Sequence, residues 1–199
     1  MSERAPETEP GLIDSRVIHD GRIVHLSLDR VRFPDGSEGD LELIRHPGAS
    51  AIVPFLDPPG SEDPRVLLVH QYRYATGGMI YEVPAGVLEP NERPEACARR
   101  ELEEETGWCA GTLRHLTTIY TTPGFTDERI HLFAAWGLTE GHQKHDADEF
   151  LSVEAFRFSR VRSMIEAGEI VDGKSLSALL WVDRFLLGVA PEDGVHKQG

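Results

Sequence analysis

The sequence predicts an α/β chain, on three observations. Short strand-like runs recur between residues 12 and 158, a helix bounded by proline and glycine interrupts them over Pro94 to Thr106, and amphipathic helical segments close the chain. Residues 1–11 are polar and proline-bearing, the composition of a disordered leader. Residues 12–46 alternate in strand fashion; Asp20-Gly21 breaks VIHDGRIVHLSLDRVRF, and PDGSEGD marks a hairpin turn before LELIRH, so a small antiparallel sheet is expected. AIVPFL (51–56) and RVLLVHQYRY (65–74) read as strands separated by the loop DPPGSEDP, and MIYEVPAGVL leads into the central helix. Strands are expected near 112–120 and 129–138, then a charged loop, GHQKHDADE, then the strand FLSVEAFRF. Ser159 is the expected cap of a helix over about 160–168, and a longer amphipathic helix carrying Leu176, Leu179, Leu180, Phe185 and Leu187 closes the domain before a tail at 191–199.

A chain of 199 residues with 40% hydrophobic and 27% charged residues can bury the core of one globular domain and carry an appended segment. Its net charge of -14 argues against broad binding to nucleic acid or an anionic membrane, since each phosphate contact starts against a repulsive field. A polyanionic substrate would need local cations. Cys97 and Cys109 make no disulfide framework, and neither a signal peptide nor an apolar run of spanning length is present, so a cytoplasmic location is expected.

The most informative stretch is GVLEPNERPEACARRELEEETGW, residues 86–108. Pro94 suits a first helical turn and Gly107 a left-handed end, which bounds the helix at Pro94 and Thr106. Glu101, Glu104 and Glu105 then share one face, and Glu104 and Glu105 lie near the negative end of the helix dipole. Each like-charge pair at such spacing costs about 0.2–0.5 kcal/mol. Two readings follow from the run itself: a solvated acidic face, or a set of hard oxygen ligands for Mg²⁺ and a phosphate-bearing substrate.

The neighbouring residues separate these readings. Gly86, Glu92, Arg100, Glu101, Leu102, Glu104, Glu105 and Gly107 fall position for position on the Nudix box, Gx5Ex7REUxEExGU, so the sequence resembles a Nudix hydrolase; Trp108 is aromatic where the family usually has an aliphatic residue. HPGAS, QYRY and YEVPAG precede the box in the order found in ADP-ribose pyrophosphatases, and Pro123 lies fifteen positions beyond Trp108, where that subfamily places a proline. The resemblance spans roughly residues 14–188.

It implies a Nudix α/β/α sandwich with a mixed sheet over 47–190, preceded by N-terminal antiparallel strands over 12–46 that contribute to a homodimer and to substrate contact. It implies hydrolysis of ADP-ribose to AMP and ribose 5-phosphate with Mg²⁺ or Mn²⁺. Glu101, Glu104, Glu105 and the carbonyl of Ala85 are the implied metal ligands, with Arg100 orienting the glutamates. Glu92 is read as supporting, Glu89 and Glu103 as solvated, and Cys97 as a small packed residue. For the general base the loop offers Asp146, Asp148 and Glu149, and Glu149, directly before the apolar strand, is chosen. His142 and His145 receive no role. Arg73 is the expected diphosphate-binding residue, with Glu82 a metal or nucleotide contact or a solvated strand end, and Arg45 and Arg129 further phosphate candidates. Alternatives are another nucleoside diphosphate substrate such as GDP-mannose or a dinucleotide, a nucleotide sensor without catalysis, and an interaction protein whose acidic helix merely faces water.

Overall fold

The structure is a computed structural model that describes residues 9–144 and 150–188. The expected leader, up to residue 8, and the expected tail lie outside the described residues, as do His145, Asp146, Asp148 and Glu149. The chain divides into two compact units, the first comprising residues up to Pro47 together with Tyr120–Arg129, and the second Gly48–Ile119 and the chain from Ile130 on.

In the first unit β1 (Gly11–Asp20), β2 (His25–Arg32) and β3 (Glu38–Arg45) form an antiparallel sheet in that order, with the turns where Asp20-Gly21 and PDGSEG predict them. The excursion 120–129 docks on β3, where Ile44 N–H donates to Phe125 O at 2.8 Å. Alternation in the sequence does not translate into a covered face on β1: all ten of its residues are exposed, Leu12, Ile13, Val17 and Ile18 among them. The buried positions of β2 are polar, Ser27 and Asp29.

The second unit runs β4 (Ala49–Pro54), β5 (Arg65–Arg73), β6 (Gly78–Glu82), β7 (Ala85–Val87), α1 (Pro94–Thr106), β8 (Trp108–Cys109), β9 (Thr112–Tyr120), β10 (Arg129–Trp136), β11 (Thr139–Glu140), β12 (Leu151–Arg157), α2 (Phe158–Glu166) and α3 (Gly173–Val182). Its mixed sheet has the order β7-β4-β10-β9, with β4 and β10 parallel and β7 antiparallel to β4; β12-β5-β6 form a second sheet and β11-β8 a short ladder.

All six residues of β4 are buried, so this strand is covered on both faces, and successive side chains must meet different layers. Ala51, Val53, Leu132 and Ala134 join a cluster with Phe158, Val161 and Met164 of α2 and Ala178, Leu179 and Val182 of α3. Ile52, Phe133 and Ala135 point the other way and pack with Ala98 and Leu102 of α1. Helices on both faces of one sheet make the α/β/α sandwich that the resemblance implies.

Two helix details differ from expectation. The first turn of α2 contains Ser159 rather than starting from it: Arg157 is the cap residue, and Asp63 accepts from both Ser159 N–H (2.9 Å) and its hydroxyl (2.8 Å). The closing helix ends at Val182 and continues as a π turn over Asp183–Leu187, with Leu180 and Phe185 exposed while Leu179 is buried. An amphipathic stripe read at one constant period fails where the helical period changes. Among the described residues no helix is long and apolar enough to cross a membrane.

Candidate active site

The central helix has the predicted bounds, because both of its end signals are local. Pro94 occupies the first turn, and Gly107 adopts φ 75°, its N–H donating to Glu103 O at 2.8 Å. Ala98 and Leu102, fully buried against the sheet, set the rotation of the helix. That rotation turns Glu101 and Glu105 toward the β7 segment: Glu105, 4% exposed, accepts from Ala85 N–H at 3.3 Å, and the Glu101 carboxylate occupies the space a side chain at Gly86 would need. Glycine is required there for close approach.

Arg100 gathers the remaining charges. Its Nε and Nη2 donate to the two oxygens of Glu92, both at 2.9 Å, and its Nη1 donates to Glu101 at 2.6 Å and to Glu104 at 3.1 Å. Nη2 also reaches Val87 O at 3.2 Å. These bonds hold Glu92 down to a pKa of about 2 and raise that of Arg100, so this pair stays charged at neutral pH. Cys97 beneath them is fully buried, and burial pushes its thiol up to about 11; it is the packed residue expected and no nucleophile.

Glu103 departs from the solvated role read for it. It accepts from His142 N–H at 3.2 Å, while Lys144 N–H donates to Glu104 O at 2.9 Å and Gln143 Nε2 to Glu105 O at 2.7 Å, so residues 141–144 are tied to the last turn of α1. Those bonds satisfy helix-end carbonyls. On the far side of 145–149, Phe150 O accepts from Tyr72 N–H at 3.0 Å, next to Arg73.

Arg73 and Glu82 meet as a forked pair, with Nε to Oε1 at 2.7 Å and Nη2 to Oε2 at 2.9 Å. Glu82 is 2% exposed, which removes the solvated-strand-end reading, and it also accepts from Lys174 Nζ. Burial favours its neutral acid, but the bonds from Arg73 and the charge of Lys174 outweigh that and keep Glu82 below the ordinary carboxylate range. Lys174 donates in turn to Asp172 at 3.0 Å, the N-cap of α3, which also accepts from Ser175 N–H at 2.9 Å. The Arg73 pKa is raised first by its bond to Glu82, with further charge contributions from Glu82, Glu105 and Asp172, which sets the pair electrically beside the box. Lys174 and Asp172 escaped the sequence reading. Asp172, with Ser175 three residues on, was legible as a cap; the role of Lys174 was not.

The structure thus gathers Ala85, Arg100, Glu101, Glu104 and Glu105 in the second unit, with Arg73 and Glu82 coupled to them. Arg45 and Arg129 belong to the first unit: Arg45 is bonded to Asp29 and, at 3.2 Å, to Asp127, and Arg129 lies 5.8 Å from the Tyr120 ring centre. Glu149 lies outside the described residues. Among the described residues no three acidic, histidine or cysteine side chains form a ready-made ligand cluster; the box carboxylates are paired with Arg100 and the Ala85 amide.

Comparison with known proteins matches residues 45–179 to a model described as the NUDIX domain. A Bacillus subtilis protein named ADP-ribose pyrophosphatase is 35% identical over 87% of this chain and 92% of its own, and a Mycobacterium tuberculosis protein of the same name is 34% identical over 96% and 89%. A Bacillus methanolicus protein named methanol dehydrogenase activator is 36% identical over 87% and 92%. A solved structure described as an ADP compounds hydrolase superposes with a TM-score of 0.78 over 93% of this chain and 98% of that one, at 21% identity, a likeness of fold.

Proposed function

From a chain that belongs to the Nudix family, we propose an enzyme that uses a divalent cation to hydrolyse the diphosphate bond of ADP-ribose, giving AMP and ribose 5-phosphate. The observation that carries this reading is the intact box in place: Glu101, Glu104 and Glu105 on one helical face beside Ala85, with Arg100 bonded to the first two.

The donor set suits a hard cation. Three carboxylates and the Ala85 carbonyl are oxygen ligands of the kind Mg²⁺ and Mn²⁺ prefer, and Gly86 leaves the room that the Glu101 carboxylate needs. Bound there, a divalent ion lowers the pKa of water and neutralises charge on the diphosphate. Arg100 orients Glu101 and Glu104, Glu105 is held from the strand side, and Arg73 offers a guanidinium to a phosphate. Glu149, which stands in the sequence directly before the apolar strand FLSV, is our choice for the group that takes the proton from the attacking water. The exposed apolar residues of β1, Leu12, Ile13, Val17 and Ile18, favour a homodimer, which sedimentation would detect.

The test is a panel of nucleoside diphosphate compounds incubated with Mg²⁺ or Mn²⁺, with products identified. AMP and ribose 5-phosphate from ADP-ribose are expected, at a higher kcat/KM than products from GDP-mannose or a dinucleotide. Preference for another compound would reassign the substrate, and binding without turnover across the panel would make the chain a sensor.

A further inference from the structure

We propose that Lys174 is a positioning residue for the substrate diphosphate, acting through Glu82 on Arg73. The inference rests on the ADP-ribose reading and adds two residues, Lys174 and Asp172, that neither the box nor the sequence pattern singles out. Lys174 is 14% exposed on its side chain, and its Nζ bonds both Glu82 and Asp172. A half-buried lysine loses hydration that close anions replace, so two carboxylates on one ammonium fix it firmly. Asp172 is itself pinned by Ser175, whose hydroxyl donates to it at 2.6 Å and accepts from Val83 N–H at 2.9 Å. The start of α3 is therefore latched to the backbone that follows Glu82 and leads into Ala85.

The electrostatic consequence falls on Arg73. With Lys174 in place, Glu82 divides its charge between two cations, and Arg73, 41% exposed, keeps part of its own for a phosphate. Without Lys174, two acids remain against one cation, next to Glu105. Arg73 would then be drawn to neutralise Glu82 and would meet a diphosphate in a more negative field. Loss of Lys174 thus weakens diphosphate binding more than the chemical step.

The experiment compares wild type, K174M, R73Q and the double variant in ADP-ribose hydrolysis with Mg²⁺, and in calorimetric titration with inorganic pyrophosphate without added metal. K174M is expected to raise KM and the pyrophosphate Kd by about tenfold, with kcat within about threefold, the size of effect that partners one shell out exert. In the R73Q background the same change should add less than about twofold, because its target is gone. K174R should restore most of the loss. A merely structural lysine would lower the melting temperature yet shift KM equally with and without Arg73, which overturns the proposal, as does an unchanged KM in folded K174M. Should K174M not fold, K174Q, which keeps a polar but uncharged and one-atom-shorter side chain, makes the same comparison. If wild type leaves ADP-ribose intact but pyrophosphate binding shows the Arg73-dependent loss, the substrate reading falls and the positioning role stands.

Discussion

Two buried carboxylates in the second unit sit in opposite electrostatic settings. Glu82 is 2% exposed and Glu105 4%, so burial does not distinguish them. Around Glu82 two acids, Glu82 and Asp172, face two cations, Arg73 and Lys174. Around the box three acids, Glu92, Glu101 and Glu104, share the guanidinium of Arg100, and Glu105 accepts from a backbone amide. The second gathers several acids on one face of a helix, an arrangement that suits an added cation. Burial alone would put both carboxylates in one class, and the two charged partners of Glu82 set it apart.

Glu105→Gln is the sharpest way to break the comparison. Removing a ligand should cost several kcal/mol of charge stabilisation in the reaction, roughly a 10³-fold loss of kcat/KM. Stability in urea should stay level or rise, since one repelling charge disappears. Retained turnover in a strongly destabilised Glu105→Gln protein would show that this carboxylate is the latch.

Glu82→Gln should do the reverse in kind. It leaves Arg73 and Lys174 without their shared anion, and the loss of one partner of a buried pair costs about 2–3 kcal/mol here, the low end of the range because Arg73 is 41% exposed and screened by water. Urea unfolding measures this directly. A loss below about 0.5 kcal/mol would mean that the network is spectator to folding.

How much of this was legible in the sequence follows the same division. The box helix, Pro94 to Thr106 with its Gly107 end, was readable because its signals lie within a turn of the residues they control. For Arg100 the resemblance implied an orienting role, and its bonds to Glu101 and Glu104 run between neighbours along the same helix. The latch was not readable: Lys174 meets Glu82 across 92 positions, and Asp63 reaches Ser159 across 96. No local pattern marks such a pair. The layered arrangement was readable only through the resemblance, and the alternation of β1 misleads because none of its ten residues is covered by the described residues. Glu103 was misplaced for a related reason, its partner His142 being brought by the return of a distant loop.

Gly86→Ala probes the ligand side more gently. A Cβ at residue 86 collides with the Glu101 carboxylate, and moving that group must pull on Arg100 as well. A fall of about 10- to 100-fold in apparent metal affinity is expected, read from the Mg²⁺ dependence of the rate. Full activity at unchanged Mg²⁺ demand would mean that the Glu101 carboxylate has room elsewhere and is not seated by Gly86.

The smallest effect expected is one of pH. Glu92 titrates at about 2 in the folded chain because Arg100 binds its charged form, against 4.5 for an ordinary glutamate. A depressed pKa means that the charged form stabilises the fold above the ordinary value, and that this contribution is lost as pH falls from about 4.5 toward 2. Glu82, Asp172 and Asp29 are lowered as well, so the acid limb of wild type sums several such losses. Glu92→Gln removes one of them: its stability at neutral pH is lower, but its slope through that window should be shallower by at most one proton, about 1.4 kcal/mol per pH unit. Urea midpoints taken every half unit down the acid limb distinguish the two curves. If they run parallel, Arg100 holds Glu92 no more firmly in the folded chain than in the unfolded one, and the three-to-one sharing that sets the box apart from the latch loses its strongest bond.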